Sequence, residues 1–276
     1  MSDQNAGTST AGDILKYDIA TGKLLSRVVP HSNPDAPSVP RGMVLVGGNL
    51  FVADLTTETQ TNKPPTAGRI RVYTATGQHL TDLVPNASAF PLDQFHPRAL
   101  VVGPDRLLYV SNFPNLATGL GGDVLRFNPG DGSFIDVFVH DAGGVGNLNR
   151  PEGIAFGPDD NLYVTSFRAN TDDTDKIFIY SGPSASTPGA DVGAIDLDAV
   201  NGPRAFAQAL LFGPGGYLFV SISGTGVDTG AVRRYDINNL PAFDNFVPPN
   251  TLGGVLGSPW YLTFGMTDPA TLNYSQ

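Results

Sequence analysis

The chain has 276 residues, 41% of them hydrophobic, and a formal net charge of −10. That charge repels phosphate backbones and excludes nucleic acid as a partner. The absence of cysteine removes disulfides, thiolate metal sites and cysteine nucleophiles together. No apolar run approaches the ~18 residues of a membrane span, and Met1–Gly12 holds no basic-then-apolar leader, so no signal peptide is expected there. Gly (33) and Pro (23) recur between short apolar runs, which is turn punctuation in a many-stranded protein rather than disorder. Few lysines, polar Thr/Asn/Gly loops and N-x-S/T triplets at Asn86 and Asn273 lean towards an exported protein, expected as a monomer.

Residues 1–11 are small and polar and read as a loose tail. Gly12–Asp18 and Lys23–Val29 then read as a hairpin with no inner partner before it. A full unit follows: Pro40-Arg41-Gly42 opens a strand, Gly47-Gly48 turns it, Asn49–Asp54 returns, and Gly68–Tyr73 and Leu80–Val84 complete it. The second unit opens at His96-Pro97-Arg98-Ala99 and continues with Leu107–Asn112, Gly122–Phe127 and Phe134–Val139. The third runs from Arg150 to Tyr180 and is extended by Val192–Leu197. The fourth opens at Ala207-Gln208-Ala209 and continues with Tyr217–Ser221, Gly230–Tyr235 and Phe243–Val247. The last opens at Pro259-Trp260-Tyr261, runs through Leu262–Gly265 and ends after Leu272–Ser275.

One aromatic position in the third strand checks the register: Tyr17, Tyr73, Phe127, Tyr180 and Tyr235, spaced by 56, 54, 53 and 55 residues. A period near ~50 with four short strands is a propeller blade. A β-branched residue three earlier (Ile14, Ile70, Val124, Ile177, Val232) lies on the opposite face, so both faces are apolar and each sheet is sandwiched by neighbours. The N-terminal hairpin lacks strands one and two, and the C-terminal stretch lacks three and four. Together they make one blade and leave no open edge. The expected fold is all-β: one domain over 1–276, a five-bladed β-propeller of four-stranded antiparallel blades, closed by N-terminal strands completing the C-terminal blade.

The segments HPRALVVGPDRLLYVSNF, RPEGIAFGPDDNLYVTSF and FAQALLFGPGGYLFVSIS resemble NHL-type repeats and the strands of SMP-30/gluconolactonase-like and virginiamycin B lyase-like propellers. The resemblance implies that strand one is innermost. It also implies that the loops entering strand one and leaving strand two share the rim that carries the ligand site.

On that frame the residue after the opening Pro forms a ring round the channel mouth: Arg41, Arg98, Glu152, Gln208 and Trp260. It varies in type while its neighbours stay fixed, so packing does not dictate it. The ends of strand two, Asp54, Asn112, Ser166 and Ser223, should reach the same rim, walled by the loops Leu55–Ala67, Phe113–Gly121, Phe167–Thr174 and Gly224–Thr229. Two guanidiniums, a carboxylate, an amide and an indole suit a small anionic or polyoxygenated ligand. The opposing reading pairs Arg41 and Arg98 with Glu152 and Asp54 as a structural plug.

Ca²⁺-dependent lactonases of the resembled group place several oxygen ligands at the starts of inner strands. Here Glu152 alone is acidic and Gln208 alone is an amide, and the two arginines repel a cation. His31, His79, His96 and His140 form no H-x-x-x-H pair. The acidic run Thr171–Asp175 lacks the alternating spacing of a Ca²⁺ loop. No cofactor is therefore expected, with Ca²⁺ as the open alternative. His96, beside Glu152, could act as general base or acid while Arg41 and Arg98 stabilise an enolate; a loop-capping role is the rival. Three functions remain: a small-ligand pocket with metal-independent acid–base or lyase chemistry, a non-catalytic scaffold for protein or glycan, and a metal-dependent lactonase or esterase.

Overall fold

The computed structural model describes residues 1–5, 10–55, 67–114, 121–226, 228–249 and 255–274. Strands β1 (Ser2–Asp3), β2 (Asp13–Tyr17) and β3 (Leu24–Val29) form a three-stranded sheet in that order. Four antiparallel four-stranded sheets follow, each in chain order from the axis outward. Blade 1 holds β4 (Pro40–Val46), β5 (Asn49–Asp54), β6 (Arg69–Thr74) and β7 (His79–Leu83). Blade 2 holds β8 (Pro97–Val102), β9 (Leu108–Asn112), β10 (Asp123–Phe127) and β11 (Phe134–His140). Blade 3 holds β12 (Arg150–Phe156), β13 (Leu162–Phe167), β14 (Lys176–Tyr180) and β15 (Asp191–Asp196). Blade 4 holds β16 (Ala207–Phe212), β17 (Leu218–Ile222), β18 (Ala231–Tyr235) and β19 (Phe243–Val247). First strands meet across neighbouring blades, β4 with β8, β8 with β12 and β12 with β16, which sets them round a common axis, and β1 of the first sheet meets β4.

The two apolar faces of each sheet build the layers between blades. Ile70 packs in the layer shared with blade 2, while Tyr73, three residues on, packs against Ile14 of the first sheet. Val124 and Phe127 divide in the same way, as do Ile177 and Tyr180. Edge-to-face ring pairs join successive blades: Tyr109 with Phe156 at 4.9 Å and Tyr163 with Phe212 at 5.1 Å.

Two expectations are corrected at the junction of the chain ends. Residues 255–274 form no strand beyond one isolated bridge, Thr267 with Tyr274, and Ser275 lies outside the described residues. The strand that pairs with β2 is instead β1, with Ser2 opposite Ile14 and Asp3 opposite Asp13. The start of the chain is thus fastened rather than loose. The Met1 ammonium donates to the Leu15 carbonyl at 2.8 Å, and Ser2 Oγ donates to the Arg41 carbonyl at 2.9 Å. Ser111 Oγ makes the matching bond to Glu152 (2.6 Å), and Ser221 Oγ to Trp260 (3.0 Å), so Ser2 holds a strand-two place.

The C-terminal stretch takes the strand-one place of the same blade without pairing into a sheet. Phe264 meets Phe219 at 5.0 Å, as Phe212 meets Tyr163. A Cβ on Gly68, Gly122 or Gly230 would lie 2.6, 2.4 or 2.8 Å from Cδ of Pro97, Pro151 or Pro259, the same contact in each case. Beyond Phe264 the chain crosses the far end of the channel. The Pro269 carbonyl accepts Leu45 N–H (3.0 Å), the Ala270 carbonyl accepts Val102 N–H (2.9 Å), and Leu272 packs beneath blades 1 to 3. Both ends of the chain therefore share the fifth blade, and the C-terminal segment closes one mouth of the ring.

Candidate functional site

A β-bulge displaces every paired inner strand at the ring position. The register shifts between Pro40 and Met43, Pro97 and Leu100, Pro151 and Ile154, and Ala207 and Ala209. Bulges re-aim side chains, and here the bulged residues are Arg41, Arg98, Glu152 and Gln208. Hydroxyls on strand two satisfy the freed backbone: Ser111 Oγ accepts Ala99 N–H (3.0 Å) and Thr165 Oγ1 accepts Gly153 N–H (2.7 Å). The residue after each bulged one is small because the next inner strand passes there. A Cβ on Gly42 would lie 2.7 Å from Ala99 Cα, and one on Gly153 2.9 Å from Ala209 Cα.

The fifth unit breaks that rule with Tyr261, where the others have Gly42, Ala99, Gly153 and Ala209. Its phenol is pushed up to about 12, first by burial and then by the Glu152 charge, with Arg41 and Arg98 acting the other way. These three residues belong to three different blades, and only a place near the axis is close to all of them. Tyr261 is nonetheless 47% exposed. At neutral pH this phenol keeps its proton and is a hydrogen-bond donor. The sequence reading passed over Tyr261, although the run of small residues at its register marks it.

Arg98 and Glu152 are both buried and face each other at 3.6 Å, and the Arg98 guanidinium stacks 4.1 Å from the Phe113 ring centroid. Asp54 does not join them: it pairs with Arg71 Nε at 2.9 Å. Arg41 has no ion-pair partner among the described residues, and its Nε is buried without a hydrogen bond. The plug reading thus holds for Arg98 and fails for Arg41. Gln208 is half-buried and Trp260 is 44% exposed.

The strand-two ends are placed differently from expectation. Asp54 accepts Ser38 N–H (3.1 Å) and Val39 N–H (2.8 Å), Asn112 Oδ1 accepts His96 N–H (2.6 Å), and Ser166 Oγ accepts Asn149 N–H (3.1 Å). Ser223 Oγ donates to the Pro259 carbonyl at 2.9 Å. These side chains fasten the backbone that enters strand one.

His96 is also corrected. Its ring is fully buried, and neither nitrogen has a hydrogen-bond partner. Burial pushes its pKa down and the Arg98 charge adds to that, against the Phe113 backbone and Asp93. It is a buried imidazole whose burial favours the neutral form. Of the expected wall loops, residues 56–66, 115–120 and 227 lie outside the described residues. In the Thr171–Asp175 run, Asp173 accepts Ala169 N–H (2.9 Å) and pairs with Lys176 (2.8 Å), while Asp175 accepts Arg168 N–H (2.9 Å) and Phe206 N–H (2.8 Å). Among the described residues no three His, Asp or Glu side chains converge as metal ligands.

No family model and no curated protein sequence matches the chain. Solved structures do match it in shape. A protein from Lactobacillus plantarum superposes with a TM-score of 0.54 at 18% identity, over 91% of this chain and 67% of that one. A streptogramin B lyase gives 0.52 at 18% identity, over 87% and 63%. A luciferin-regenerating enzyme gives 0.53 at 16% identity, over 92% and 80%. This chain spans about two thirds of the length of the first two. At such identities the likeness is one of fold alone: the chain is a β-propeller.

Proposed function

We propose that the chain is a propeller pocket for a small organic anion, held by Arg41 with Tyr261, Gln208 and Trp260 around it. The observation that carries this is the unbalanced charge of the ring. Arg98 is matched by Glu152, while among the described residues Arg41 has no ion-pair partner and Tyr261, which feels its charge, keeps its phenol proton at neutral pH. A guanidinium fork pairs a carboxylate or phosphate through two parallel bonds. The far mouth is crossed by the C-terminal segment, so a ligand enters from the ring side. Calorimetric titration with a panel of small hydroxy-acids, dicarboxylates and their neutral amides tests the reading. A charge-assisted hydrogen bond contributes ~1.5–3 kcal/mol, so Arg41→Gln should weaken carboxylate binding at least ~10-fold. Equal binding of acids and amides, or an Arg41→Gln variant with unchanged affinity, contradicts it.

Acid–base chemistry at this site would fall to Glu152 and Tyr261 rather than to His96. Glu152 is the ring's only carboxylate, and Tyr261 is its only phenol. The set suits removal of a proton next to a bound carboxylate, with Arg41 on the enolate oxygen. Likeness of fold to a lyase supports this by analogy alone. Exchange of the ligand's α-proton in heavy water, lost in Glu152→Gln, is the expected result; no exchange in the wild type rejects turnover of this kind.

A further inference from the structure

A second pocket lies away from the ring, on blade 2. It has a volume of about 390 Å³ and is walled by Ala89, Phe90, Pro91, Pro114 and Val137, with Gln94, Asp123 and His140 as its polar groups. That size falls inside the ~300–1,000 Å³ of small-molecule sites. Asp123 opens β10 and His140 ends β11, and the two face each other across the strand pair. Asp123 is 5% exposed; one oxygen holds His140 Nδ1 at 2.7 Å and the other accepts from Asn112 Nδ2 at 3.2 Å. Among the described residues no lysine or arginine pairs with Asp123, and His140 Nε2 makes no hydrogen bond. The His140 side chain is 70% exposed, so a molecule in the pocket can reach it.

The fifth blade holds a built-in contrast. His31 Nδ1 meets Asp13 at 3.1 Å in the same relation between strands three and four. There, however, Arg27 Nη1 (2.6 Å), His31 N–H (2.7 Å) and Asn5 Nδ2 (3.2 Å) saturate the carboxylate. A carboxylate that orients Nδ1 leaves Nε2 free to exchange a proton, and an apolar pocket beside it can hold the apolar part of a substrate.

We propose that Asp123, His140 and this pocket form a second site that hydrolyses small apolar esters by general-base activation of water. The water oxygen bonds to the acyl carbon as its proton passes to His140 Nε2. The acyl–oxygen bond then breaks, and the same proton goes to the departing alkoxide, giving acid and alcohol. His140 is the catalytic residue, and Asp123 is a positioning residue that acts through it.

The test is hydrolysis of p-nitrophenyl butyrate by the full chain. General-base catalysis contributes ~10²–10⁴-fold, so His140→Gln should lower kcat/KM at least ~100-fold while the melting temperature holds. Asp123→Asn should lower kcat with KM unchanged. His31→Gln should retain activity, which separates this pair from its counterpart on the fifth blade. Equal loss in His31→Gln and His140→Gln overturns the proposal, as does a wild type no faster than free imidazole at the same concentration.

Discussion

Blades 1 to 4 and the fifth blade are built from the same repeat, yet they are held together differently. In the first four, a small residue after the bulge lets inner strands approach to backbone contact, and the third-strand aromatic is buried: Tyr73 and Phe127 at 0%, Tyr180 at 4%, Tyr235 at 0%. In the fifth, Tyr261 takes the small residue's place, the inner segment stays unpaired, and Tyr17 is 38% exposed. Its sheet has one apolar layer, with Ile14 and Val29 against blade 1, and is otherwise tied by polar groups around Asp13. Regular inner-strand packing is thus given up at the blade that carries Tyr261.

The sharpest break of this comparison is Phe219→Ala. Phe219 is 2% exposed and meets both Phe246 and Phe264 at 5.0 Å, so it seats the unpaired segment on blade 4. Chemical denaturation should show a loss of about 3–5 kcal/mol. Next comes a pair of substitutions at one register. Gly153→Val drives a Cβ against the Ala209 backbone and should cost about 1–3 kcal/mol. Tyr261→Ala should change stability by under ~0.5 kcal/mol, yet weaken anion binding. If Gly153→Val is as harmless as Tyr261→Ala, close approach of inner strands does not explain the small residues.

The smallest effect is one of pH. Burial works to raise the Asp13 carboxyl, but the His31 backbone N–H, Arg27 and Asn5 outweigh it and hold it well below the usual carboxylate range. A lowered folded-state pKa stabilises above the unfolded value of ~3.9 and is lost as pH falls below it. Acid titration should therefore release the fifth blade below about pH 4, and Asp13→Asn should flatten that limb. An unchanged acid limb in Asp13→Asn would place the sensitive group elsewhere.

Most of the ring was legible because two landmarks, the opening proline and the third-strand aromatic, keep one period. Asn49–Asp54 forms over its expected bounds, and β12 to β14 fall where the 150–180 repeat puts them. The two-residue strand β1 was not legible, because Ser2–Asp3 is too short to carry an alternating pattern. The strand-two ends were misassigned for another reason: Asp54, Asn112 and Ser166 have the chemistry of a ligand site, and sequence does not say whether a polar group turns to the channel or to its own backbone. His96 misled because a histidine before proline reads as a loop residue, whereas this one is fully buried. Tyr261 was visible in the sequence as an exception in a column of small residues, and its meaning came only with the approach distances at Gly42 and Gly153.

Trp260 is the chain's single tryptophan and sits at the ring, so its fluorescence reports the local charge without a known ligand. Quenching by iodide and by caesium should be compared in wild type and Arg41→Gln. A cationic ring predicts that iodide quenches the wild type more strongly than caesium, against the overall charge of −10, and that Arg41→Gln removes the preference. Caesium quenching equal to or stronger than iodide in the wild type would contradict the account.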